Sequence, residues 1–105
     1  MVIDEFQKLM VRYAKERDEA RLGAIRFFLS KVKNKEIELR PTGETITDEV
    51  AFKVLKKLIK QINETIDLAQ KGGRTEIIEK SEREKAVLME FAAMFPYSLE
   101  DARPQ

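Results

Sequence analysis

The 105 residues suit one domain and carry 20 basic against 19 acidic side chains, a formal net charge of +1. No cysteine and no histidine occurs, which argues against a disulfide framework, a thiolate or imidazole metal site and a hydrolytic triad. Near-neutral charge argues against a strongly basic nucleic-acid protein.

The charge is unevenly spread. Residues 1–40 hold ten basic and seven acidic groups, residues 41–73 five of each, and residues 74–105 five basic and seven acidic. A basic and an acidic region within one molecule would let one end meet a polyanion. No apolar run approaches the roughly 20 residues that span a bilayer. The N-terminus, acidic at Asp4 and Glu5, lacks a signal-peptide core. The expected location is the cytoplasm.

In chain order, the first predicted helix runs from about Val2 to Arg17. Ile3, Phe6, Leu9, Met10 and Tyr13 recur at steps of three and four, one helical face. Asp18 is a plausible N-cap for the second helix, although one continuous or kinked helix also fits. The second helix carries Leu22, Ile25, Phe28, Leu29, Val32 and Leu39, interrupted by Glu36, and ends near Arg40 because Pro41 disfavours helical geometry before it. Pro41-Thr42-Gly43-Glu44 is a loop. Thr47 caps the third helix, whose stripe is Ala51, Val54, Leu55, Leu58, Ile62, Ile66 and Ala69. Gly72-Gly73 ends it. Thr75 is the expected cap of the fourth helix, with Ile77, Ser81, Leu88, Phe91 and Phe95 near one line and Pro96 as its stop. Ser98 to Asp101 reads as one more cap and first turn. With no strand-like alternation, the expectation is an all-α fold: a compact bundle of four helices, two of them long.

The order Arg21-Leu22-x-Ala24-Ile25-Arg26 and then Lys33-Asn34-Lys35-Glu36-Ile37-Glu38-Leu39-Arg40 resembles the signature helix of the GatB/YqeY family. Ile46-Thr47-Asp48-Glu49-Val50, Lys57-x-Ile59-Lys60-Gln61 and Ala69-Gln70-Lys71-Gly72-Gly73-Arg74 continue the likeness. The blocks cover residues 5–96. The resemblance implies an N-terminal helical domain over residues 1–96, a short tail at 97–105 and the absence of the family's smaller C-terminal domain. It also implies similarity to the tail of the B subunit of the glutamine-dependent tRNA amidotransferase, which helps engage tRNA while the chemistry resides elsewhere. Two departures stand out. Phe91 to Pro96 is longer than the family's usual segment, and Ile62-Asn63 replaces a usual basic pair after Gln61.

Lys53, Lys56, Lys57 and Lys60 fall at i, i+3, i+4 and i+7 on the third helix. Joined by Arg26, Lys33 and Lys35, they form a candidate phosphate-tracking stripe for tRNA or another structured RNA. The plainer reading is a solvated face paired with Glu76, Glu79 and Glu82. Asn34 and Glu36 are candidates for local hydrogen bonding, Glu36 also for a buried ion pair. Phe27 must turn away from the stripe that holds Phe28, either toward a partner or against the first or fourth helix. Met94, Phe95 and Tyr97 are a candidate partner or self-association surface, or else core. No nucleophile with an adjacent base, glycine-rich phosphate loop or ligand cluster is present, so neither catalysis nor a cofactor is expected. A protein–protein interaction or dimerisation module is the competing expectation.

Overall fold

The computed structural model describes residues 1–99. Four α-helices follow one another: α1 (Val2–Lys15), α2 (Glu19–Leu39), α3 (Asp48–Lys71) and α4 (Thr75–Ala92), with a 3-10 turn over Arg40–Thr42. No strand occurs among the described residues. The expected all-α four-helix fold is therefore the observed one. The expected cap and turn from Ser98 run into residues 100 and 101, outside the described residues.

Several helix boundaries have a local cause. Asp18 caps α2, its carboxylate accepting from the Arg21 backbone N–H at 3.1 Å. Thr47 caps α3, accepting from the Val50 N–H at 3.2 Å. Between α1 and α2 the helix breaks fully. Arg17 takes a left-handed φ of 56°, the Asp18 N–H reaches back to the Tyr13 carbonyl at 3.0 Å, and the Arg17 N–H to that of Ala14 at 3.3 Å. This pair of bonds is a Schellman motif. The same motif ends α3: Gly73 has φ 66°, with Arg74 N–H on Ala69 at 2.9 Å and Gly73 N–H on Gln70 at 3.2 Å. Because the chain leaves that turn at once, α4 begins one residue earlier than expected. Arg74 is the cap residue, without a side-chain cap, and Thr75 is the first helical position. α4 also ends at Ala92, before Pro96 exerts its restriction.

The helices form two hairpins, α1–α2 and α3–α4, with α3 and α4 sharing the most extensive contact. Where the hairpins meet, a cluster of phenylalanines fills the core. Phe6 of α1 lies 5.1 Å from the Phe28 ring of α2, 5.3 Å from Phe91 of α4 and 5.7 Å from Phe95 beyond it. Phe52 and Ile59 of α3 are also buried, although the expected stripe omits them. α3 is covered on more than one side, so its buried arc is wider than a single stripe. Ile77, placed on the inner line of α4, is exposed instead.

At the surface, α2 and α4 are clamped by Arg21. Its guanidinium donates twice to Glu90, at 3.0 and 2.7 Å, and once to Asp18 at 3.0 Å, a bidentate geometry that fixes direction as well as distance. Arg21 is held well above its usual pKa, first by the hydrogen bonds to Glu90 and then by those to Asp18.

Candidate functional site

Burial of Ala51, Phe52, Leu55, Leu58 and Ile59 fixes which side of α3 faces inward, and Lys53, Lys56, Lys57 and Lys60 fall together on another side of it. These four lysines line one shallow depression, together with Lys85 of α4, Asn63, and an apolar floor of Ile59, Met89 and Leu99. Among the described residues no carboxylate lines it. Lys53 reaches back to Glu49 at 3.9 Å. The Lys56 ammonium sits 6.0 Å from the centre of the Phe52 ring. Lys57, Lys60 and Lys85 have no ion pair among the described residues, and Glu76, Glu79 and Glu82 do not neutralise the row.

Lys85 is the member that the sequence reading missed. An antiparallel hairpin sets residues equidistant from its turn side by side. Lys60 precedes Gly72 by the same number of residues as Lys85 follows Gly73, and that symmetry was the available signal.

The basic groups of α2 lie apart from this surface, since neither Arg26, Lys33 nor Lys35 lines it. Arg26 is exposed. Lys33 pairs with Glu36 at 3.2 Å, Lys35 with Glu38 at 3.2 Å, and Arg40 with Glu36 at 3.2 Å. Glu36 is thus a surface ion pair and not a buried one, its side chain 40% exposed. The hydrogen bond from Lys33, then that from Arg40, holds its carboxyl below the usual range.

The aromatic candidates separate too. Phe95 is 5% exposed and belongs to the core, packed on Phe6 and Phe52. Met94 is partly buried against the same core. Tyr97, 40% exposed, lies tilted against Phe52 with ring centres 5.3 Å apart. Phe27 is not packed in the core: it is 52% exposed, with the Lys31 ammonium 5.2 Å from its ring centre.

Residues 3–103 match the family model described as Yqey-like protein. The chain belongs to the YqeY-like family. A relative, the mitochondrial protein named altered inheritance of mitochondria protein 41 from Lachancea thermotolerans, is 29% identical over 84 residues. That alignment covers 80% of this chain and 44% of the relative, so the chain spans less than half of the relative's length. Within this YqeY-like fold, Arg21 of the signature helix has a structural task, the clamp on Glu90. Among the described residues, no helix is long and apolar enough to cross a membrane and no group of three or more carboxylates is placed to hold a metal ion.

Proposed function

We propose that this YqeY-like domain is a non-catalytic accessory domain that binds tRNA or another structured RNA weakly, by its phosphates. The observation that carries the reading is the depression lined by Lys53, Lys56, Lys57, Lys60 and Lys85, with no carboxylate in its lining among the described residues. Adjacent like charges repel, and a polyanion relieves that repulsion while releasing its own counterions. Ammonium groups are point charges suited to backbone contact and carry no base readout. A structured RNA presents its phosphates and shape in the way such a surface needs. Among the described residues the lining offers ammonium, amide and apolar groups, and no nucleophile paired with a base. The cytoplasm is the proposed location.

The test is binding of labelled bulk tRNA at about 50 and 200 mM salt. Four or five phosphate contacts predict a loss of roughly a hundredfold across that range. The double variant Lys56→Glu, Lys60→Glu should weaken binding at the lower salt and flatten the salt dependence by about one contact per lysine removed. Reversing Lys33 and Lys35 should have a smaller effect. Absence of binding at the lower salt would end the RNA reading, and an unchanged salt slope in the double variant would remove this surface from it.

A further inference from the structure

A second surface has a different character. The N-terminal half of α2 stands off the α3–α4 hairpin, leaving a groove of about 600 Å³. Phe27, Leu58, Ile62 and Val87 contribute to its apolar lining. It shares no residue with the lysine depression.

Three features of the groove bear on what would fill it. Phe27 presents half of its surface to solvent there. Gly23 sits inside α2, where glycine weakens a helix relative to alanine, yet a Cβ built on it meets nothing within 4 Å. At the rim, Glu19 and Glu84 stand with Lys80 and Arg83, and none of the four is ion-paired among the described residues.

We infer that this groove is a self-association surface whose occupant is the same groove of a second copy of the chain. The rim charge selects the occupant. A uniformly acidic partner would meet Glu19 and Glu84, and a uniformly basic one Lys80 and Arg83. A two-fold axis sets one patch against itself, and such a patch must be self-complementary. Two acids and two bases around an apolar centre satisfy that condition. The aromatic anchor is Phe27, the kind of side chain that dominates interface energetics. Gly23 gives the partner's Phe27 or backbone a close approach.

Sedimentation velocity from about 1 to 100 μM, the span of moderate to weak association, tests the inference. The wild type should pass from monomer to dimer. Phe27→Ala should raise the dimer Kd about tenfold or more, with an unchanged circular dichroism spectrum because the ring lies outside the core. The pairs Lys80→Glu, Arg83→Glu and Glu19→Lys, Glu84→Lys should each be monomeric alone and should form a heterodimer when mixed, which a merely sticky surface would not do. A wild type that stays monomeric throughout would overturn the inference. So would a dimer indifferent to Phe27→Ala, or one broken instead by Lys56→Glu, Lys60→Glu. RNA binding by the monomeric variants separates the fate of this surface from that of the lysine depression.

Discussion

Phe6 joins α1, α2, α4 and the segment after α4, since its ring meets Phe28, Phe91 and Phe95. Replacing it with alanine leaves a cavity among rings fixed to separate helices. Phe6→Ala should therefore cost about 3–5 kcal/mol, a large share of the roughly 5–15 kcal/mol that holds a domain folded. Phe27→Ala, measured on the monomer, should stay within about 0.5 kcal/mol, as exposed positions do. Denaturant unfolding of the two variants gives the comparison. Periodicity found Phe6, Phe28 and Phe91 because each lies on a helix with one covered face. It missed Phe52, whose helix is covered on two sides. It put Phe95 on the inner line of a fourth helix that in fact ends at Ala92: the turn after it, with the Phe95 N–H on the Ala92 carbonyl at 3.2 Å, is what carries that ring into the core.

At the scale of elements, the two hairpins close with the same motif and different residues. The first places Arg17 in the left-handed region, where a Cβ is strained; the second uses Gly73. Opposite substitutions should have opposite signs. Arg17→Gly should stabilise by up to about 1 kcal/mol, the strain relieved less the entropy of a freer unfolded chain. Gly73→Ala should destabilise by about 1 kcal/mol. Gly72→Ala should be close to neutral, because its φ is −91° and an added Cβ makes ordinary contacts from 3.6 Å. Thermal midpoints of the three variants decide the matter. The glycine pair announced its turn in the sequence. Arg17 did not, since nothing in Glu16-Arg17-Asp18 marks a left-handed residue; only the cap at Asp18 pointed to a break. Lys85 was likewise hidden until the turn fixed how α4 runs back along α3.

For the whole molecule, charge sets the response to pH. Asp18 lies below its ordinary 3.8, held there first by the Arg21 backbone N–H and then by the Arg21 side chain. Glu36 lies below its ordinary 4.5. Their contribution is complete above those values and is lost as pH falls through and below them. Tyr13 is raised above 10.0 by burial first and by the charge of Glu90 second. Its contribution is complete below 10.0 and is lost as pH rises through its folded value. With no histidine or cysteine in the chain, stability should be nearly flat between about pH 5 and 9 and fall on both sides. Thermal midpoints across that range and beyond it check the profile.

The chain has two tyrosines and no tryptophan. Tyr13 is sealed in the core, while Tyr97 rests against Phe52, the ring beneath the Lys56 ammonium. The protein thus carries its own optical reporter at the edge of the lysine depression, and none in the groove. Leu58 and Lys60 point about 200° apart around α3, so the groove and the depression occupy opposite sides of one helix. Tyrosine emission would register an occupant of the basic side without a label and stay dark to one on the other.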